Sequence, residues 1–208
     1  MGNIFAYPAA HRRPTAEPGP AETLSSLPVM DSATADADVR VGLGYDIHRL
    51  EAGYRLVLGG VAIPAEVGFH THSDGDVLSH AVVDAMAGAV ADGDLGTHFP
   101  EDDPAAEDAR SLEFVATQAQ TLAGHGYRVT SVDSFIVLGT VRLRPHLAAM
   151  RTNLAAVLAL DPARVSVKAR SADGLGPEGE GVAASATAVV LVRRVAAAAD
   201  QGPGPRPS

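Results

Sequence analysis

The sequence predicts a single α/β domain, on three observations. Its 208 residues, 46% of them hydrophobic, suffice for one substantial core and are too few to argue for two. Short alternating apolar runs and longer runs with a three- to four-residue apolar step follow one another through the middle of the chain. The Pro-, Ala- and Gly-rich stretches without a period are confined to the two ends.

Taken in order, residues 1–39 mix Pro, Ala, Ser and Asp and lack the apolar core of a secretion signal, so they predict a flexible extension. Glu17, Glu22, Asp31, Asp36 and Asp38 are more acid than a transit peptide usually carries. The domain itself is expected over residues 40–196. "VRVGLGYDIH" reads as its first strand and "YRLVLGGVAIP" as a second, with Gly59-Gly60 permitting a turn, so that the two could pair as a hairpin. From Asp76 to about Val90 the residues Val77, Ala81, Val82, Ala85, Met86 and Ala89 recur at helical steps, and Ser73 followed by Asp76 has the form of a capping box. A second helix is expected from about Asp108 to Ala123, stopped by Gly124 and Gly126. "RVTSVDSFIVL" alternates as a strand, "RPHLAAMRTNLAAVLAL" predicts a third helix with Pro145 in its first turn, and "VSVKARS" and "VAASATAVVLV" predict two further strands. Residues 197–208, ending "GPGPRPS", read as a flexible tail.

Charge and composition narrow the chemistry. A formal net charge of -9 argues against wrapping a nucleic-acid backbone, which needs Lys and Arg gathered on one face. The last apolar run carries Arg193 and Arg194 and many small residues, which suits a buried strand better than a membrane span. A small-molecule partner fits this composition. With no cysteine, any metal must be held by His, Asp or Glu.

Asp46 and His48 stand two apart on an expected strand, so both side chains leave one face, and His80 could complete a set of three. Three N/O ligands without a thiolate suit a tetrahedral zinc with an open fourth position. An isolated Asp-x-His pair reads first as a surface strand end; what shifts the balance is Asp74, Asp76 and Asp84 nearby, which could support the imidazole N–H groups or bind substrate hydroxyls. His70, His72, Ser73, Asp92, Asp94, His98, Glu101, Asp102 and Asp103 crowd the same stretch, Asp94 being the strongest functional candidate among them. Lys168 and Ser171 beside the glycine-rich "ADGLGPEGEG", and Arg142 with Arg144, offer phosphate contacts. On residues alone a mononuclear zinc hydrolase stays open.

"GYDIHRL", "LGGVAIP", "HSDGDVLSHAVVDAMAGA" and "GDLGTHFP" resemble, in order and spacing, the 2-C-methyl-D-erythritol 2,4-cyclodiphosphate synthase family, over about Arg40 to Val195. The resemblance implies a mixed β-sheet with helices on one face, in a homotrimer whose sheets pack around the threefold axis and whose sites lie between subunits. It implies zinc on Asp46, His48 and His80, and a second divalent cation, Mg2+ or Mn2+, bound through Asp173. The implied substrate is a cytidine diphosphate ester of methylerythritol bearing a 2-phosphate, cyclised with loss of CMP. His72 and Ser73 would contact phosphates, Asp84 and Asp94 the methylerythritol end, and Ser171 a phosphate; Leu138 to Arg144 would line the cytosine pocket, with Arg142 reaching the nucleotide phosphates. A cytoplasmic location is implied, or a plastid in a plastid-bearing source.

The departures gather at the nucleotide end. "ARSAD" stands for the family's usual "ATTTE", Val141-Arg142 for Pro-Lys, and the shorter "LGPEGEG" puts Pro177 and Glu178 where many members carry Phe and Arg at the mouth of the central cavity. An acid there would repel isoprenoid diphosphates proposed to bind that cavity. Two alternatives therefore accompany the synthase reading: a paralogue acting on another nucleotide diphosphate ester, and a zinc-bound trimeric scaffold without turnover.

Overall fold

In chain order the elements are β1 (Val39–Ala52), β2 (Leu56–Leu58), β3 (Val61–Ile63), β4 (Val67–Phe69), α1 (Val77–Ala89), α2 (Leu95–His98), α3 (Ser111–Gly124), β5 (Tyr127–Val137), α4 (Leu147–Val157), β6 (Val165–Arg170), α5 (Gly176–Gly179) and β7 (Ala183–Arg194). They come from a computed structural model that describes residues 38–71, 73–100 and 109–195. The expected extension before Asp38, the tail after Val195, His72, Glu101, Asp102, Asp103 and the expected helix start at Asp108 lie outside the described residues.

One mixed sheet organises the domain, in the order β4-β1-β7-β5-β6. β1 runs antiparallel to β7 from Val39↔Arg193 to Arg49↔Ala183, and its far end takes β4 as an edge through Leu50↔Phe69. β7 is antiparallel to β5, and β5 is parallel to β6. The hairpin expected between the first two strands does not form. Gly59 and Gly60 both take positive φ (56° and 68°), the two-residue turn whose twist matches a tight hairpin, so β2 folds back on β3 instead. β1 is left for β7, whose length matches its own.

What seats α1 on the sheet is the absence of two side chains. A Cβ on Gly42 would lie 1.7 Å from the Ala85 carbonyl oxygen, and one on Gly44 would lie 2.0 Å from that of Ala81. The helix backbone therefore rests on the strand backbone. With the sheet on one side and α3 packed on the other, α1 is buried almost all round, including Val77, Leu78, Val82, Val83 and Met86. Each such side chain contributes about 1.5–3 kcal/mol relative to exposure. The other face of β1 is open: Val41, Leu43, Tyr45 and Ile47 alternate along it and are exposed, Leu43 at 65%.

The start of α1 differs from the capping box that the sequence suggests. Asp76 is itself the N-cap, while the Ser73 hydroxyl accepts from the Gly75 amide. The Asp76 carboxylate accepts from the Leu78 and Ser79 amides (both 3.1 Å), the Ser79 hydroxyl (2.7 Å) and the Gly60 amide (2.8 Å), tying α1 to the β2–β3 turn. Complete burial pushes its carboxyl above the usual range against the pull of those donors. Asp76→Ala would leave several buried donors unpaired, and a loss of about 3 kcal/mol is expected in urea unfolding. A loss below about 0.5 kcal/mol would show that water replaces the carboxylate at this cap. α4 likewise begins at Leu147, with Pro145 one residue before its N-cap His146.

Candidate metal centre

Alternate residues of β1 face α1, so Asp46 and His48 leave the same side as Gly42 and Gly44. The first turn of α1 presents His80 to them, its amide donating to the Asp76 carbonyl (3.0 Å). His80 Nδ1 lies 3.0 Å from Asp46 Oδ2, and His48 Nε2 lies 3.3 Å from the same oxygen. One ligand atom from each of the three residues falls within 4.8 Å of the others.

The outer ring atoms determine how these groups are protonated. His48 Nδ1 is 3.1 Å from the Gly75 carbonyl oxygen, which can only accept, so Nδ1 carries the proton and the Nε2 lone pair faces Asp46. His80 Nε2 is 2.9 Å from Ser111 Oγ. The Ser111 hydroxyl donates its one proton to the Asp74 carboxylate, so its oxygen accepts from His80 Nε2–H, and the Nδ1 lone pair also faces Asp46. Two lone pairs and a carboxylate oxygen converge on one point, an arrangement that calls for a cation between them. Burial pushes the Asp46 carboxyl up, but the His80 hydrogen bond and the coulombic pull of the two neighbouring imidazoles outweigh it and hold Asp46 below the usual range, so a carboxylate faces the rings. A divalent metal fits, because it satisfies all three donors at once.

Beside the triad opens a cavity of about 320 Å³, lined by His48, His80, Ser73, His70 and Arg49 on a polar side and by Phe99 and Phe114 on an apolar one. The two phenyl rings stack with centroids 4.4 Å apart, and Phe114 also stacks on His80 at 6.2 Å. Polar groups and two members of the triad, His48 and His80, thus share one walled space.

Of the residues singled out in the sequence, the structure brings Asp46, His48 and His80 together and places Ser73 in the same cavity wall. Asp84 and Asp94 meet at the start of α2. Asp84 Oδ1 accepts from the Leu95 amide at 3.2 Å, and Leu95 lines the cavity. Asp94 caps α2 through the Thr97 hydroxyl (2.6 Å) and amide (2.8 Å), which hold its carboxyl below the usual range. Among the described residues Asp76 and Asp84 do not support the imidazoles: Asp76 accepts from backbone amides and the Ser79 hydroxyl, and Asp84 from the Leu95 amide; Asp74 gives that support, through Ser111. Ser111 was missed from sequence. Its signal was a serine in line with Val115, Gln118 and Leu122, a polar member of the buried stripe of α3.

Ser171 and Asp173 lie apart from the triad. Asp46 pairs with Ala186, Ala186 with Ile136 and Ile136 with Ala169, so three strand spacings, about 14 Å, separate the triad from the end of β6, which Ser171 and Asp173 follow. Ala172 (φ 57°) and Asp173 (φ 53°) are consecutive left-handed residues with side chains, a strain that folded proteins concentrate at functional loops. Arg142 and Arg144 are exposed on either side of buried Leu143. Lys168, expected at phosphate, is paired with Asp133 at 2.6 and 2.7 Å across β5 and β6.

Sheet and site define an α/β chain with a two-histidine, one-carboxylate group that could hold a divalent metal ion. The chain belongs to the YgbB family, whose model matches residues 39–193. It is 46% identical over 160 residues to the 2-C-methyl-D-erythritol 2,4-cyclodiphosphate synthase of Gloeobacter violaceus, covering 77% of this chain and 98% of that one. To the synthase of the same name from Syntrophomonas wolfei it is 50% identical over 156 residues, 75% of this chain and 99% of that one. A solved 2C-methyl-D-erythritol-2,4-cyclodiphosphate synthase in a CDP-bound form superposes with a TM-score of 0.69 at 34% identity, over 74% of this chain and 99% of the other. Among the described residues no helix is long and apolar enough to cross a membrane.

Proposed function

We propose that the protein is a lyase of non-mevalonate isoprenoid biosynthesis. It cyclises 4-diphosphocytidyl-2-C-methyl-D-erythritol 2-phosphate to 2-C-methyl-D-erythritol 2,4-cyclodiphosphate with release of CMP. The observation that carries this reading is the convergence of the Asp46, His48 and His80 donor atoms, with both imidazole tautomers set from outside, in a chain of this family. Asp46, His48 and His80 would hold zinc, which supplies positive charge to the diphosphate.

In the reaction an oxygen of the 2-phosphate attacks the β-phosphorus, the bond from that phosphorus to the CMP oxygen breaks, and CMP leaves with the electron pair. No side chain need form a covalent bond, so the protein's work is positioning and charge neutralisation. Ser73 contacts the phosphates from the cavity wall, His72 is assigned to the same phosphates from the family resemblance alone, and Asp84 and Asp94 receive the methylerythritol hydroxyls. Arg142 and Ser171 contact the nucleotide phosphates and Asp173 holds a second cation, Mg2+ or Mn2+. The CDP-bound relative supports a cytidine nucleotide as the ligand.

The separation of about 14 Å between the triad and the end of β6 supports a site completed by a neighbouring copy. The exposed apolar row Val41, Leu43, Tyr45 and Ile47 supports a homotrimer with that face turned inward, since a monomer rarely leaves such a stripe in water. Phosphorus NMR of the protein with zinc, magnesium and the substrate is expected to show CMP and the cyclic diphosphate appearing together. Unchanged substrate in the presence of bound zinc would overturn the synthase reading and favour another nucleotide diphosphate ester, to which the altered "ARSAD" and Val141-Arg142 segments would point. Glu178→Arg is expected to leave turnover nearly unchanged, because Glu178 accepts from the hydroxyl of Ser185 (2.7 Å), which pairs with Ile47 and so shares the sheet face opposite Asp46 and His48; a large fall would place Glu178 in the site.

A further inference from the structure

We infer that Ser111 and Asp74 are positioning residues for the metal centre: together they set the tautomer and angle of the His80 ring, and thereby the affinity for metal. The inference rests on the metal reading above and concerns how this chain builds it. His80 is 5% exposed and its Nε2 has one partner among the described residues, the Ser111 hydroxyl. Ser111 is fully buried at the first position of α3, and its hydroxyl and amide both donate to Asp74. Asp74 is itself anchored, its amide donating to the Ala109 carbonyl at 3.2 Å. The chain Asp74, Ser111, His80 thus has a defined direction. A carboxylate that can only accept takes the serine proton, the serine oxygen is left to accept from Nε2–H, and the Nδ1 lone pair is aimed at Asp46.

The partner of His48 is a backbone carbonyl that no substitution alters, whereas the partner of His80 is a side chain brought from a different helix. Losing it frees the ring to rotate or to move its proton to Nδ1, where it would block the metal. Outer partners of this kind typically change metal affinity 10- to 100-fold. Ser111→Ala removes the hydroxyl while keeping the amide bond to Asp74, so the tie between the start of α3 and the loop before α1 survives.

The test is zinc affinity of the full chain, measured by competition with a chromophoric chelator in the wild type, Ser111→Ala and Val115→Ala. Val115 is buried one turn further along α3, so its truncation loosens the same helix while leaving the Ser111 hydroxyl in place. Ser111→Ala is expected to bind zinc 10- to 100-fold more weakly, while Val115→Ala keeps wild-type affinity. Equal affinity in Ser111→Ala and wild type overturns the inference, and so does an equal loss in Val115→Ala, which would mean that affinity merely follows stability. If Ser111→Ala does not fold, nitrogen-15 spectra of the wild-type histidine rings with zinc bound decide instead: a proton on His80 Nε2 is expected, and one on Nδ1 overturns it. A wild type that binds no zinc would sink the metal reading itself, and this inference with it, a result distinct from equal binding by both proteins.

Discussion

Replacing His80 with alanine is expected to remove metal binding and turnover together while the fold survives. His80 supplies one of three donors, and its Nδ1 is 3.0 Å from the Asp46 oxygen that also faces His48. Asp46 and His48 alone, on one strand, leave a two-donor site that competes poorly with water and buffer for a divalent ion. Alanine is the best helix former, so the first turn of α1 persists on its Asp76 cap. Without the positive charge beside the diphosphate, turnover should fall on the order of 10³-fold or more. Metal content by atomic absorption, with CMP release followed by phosphorus NMR, reads both effects. Full turnover in His80→Ala would end the metal assignment.

Gly44→Val is expected to have the largest effect on stability, about 3 kcal/mol or more, or to prevent folding outright. The atoms that a Cβ would meet are backbone: Ala81 O at 2.0 Å and the Ala85 amide nitrogen at 2.6 Å. No rotamer change can relieve that overlap; α1 must lift from β1. The same lift would part His80 on α1 from Asp46 and His48 on β1, so metal affinity should fall along with stability even in molecules that still fold. Urea unfolding of the metal-free protein, followed by zinc titration of the folded fraction, separates the two losses. Wild-type stability would contradict the close approach of helix and strand.

Much of the local structure was legible before any coordinates. β1, α1, β5, β6 and β7 show their periods of two and of three to four in the sequence, because those periods reflect which side faces a core. The Asp46 and His48 pairing on one face follows from the same alternation. β4 was not legible: at three residues it is too short to carry a period. The misplaced hairpin had a different cause. Strand pairing follows register over the whole sheet, and β1 and β7 are joined by matching lengths that lie more than a hundred residues apart.

By itself, then, the sequence determined the kinds of element, the oxygen and nitrogen character of any metal ligand set, and the two candidate donors on β1. Those properties are set within a few residues by alternation, helical step and composition. Only the tertiary structure decided that Asp76 would serve backbone amides, that Ser111 would reach His80 from another helix, and that Ser171 and Asp173 would stand three strands from the triad. A buried carboxylate or imidazole takes whichever donor or acceptor packing brings within hydrogen-bond reach, and that competition is resolved between segments distant in the chain.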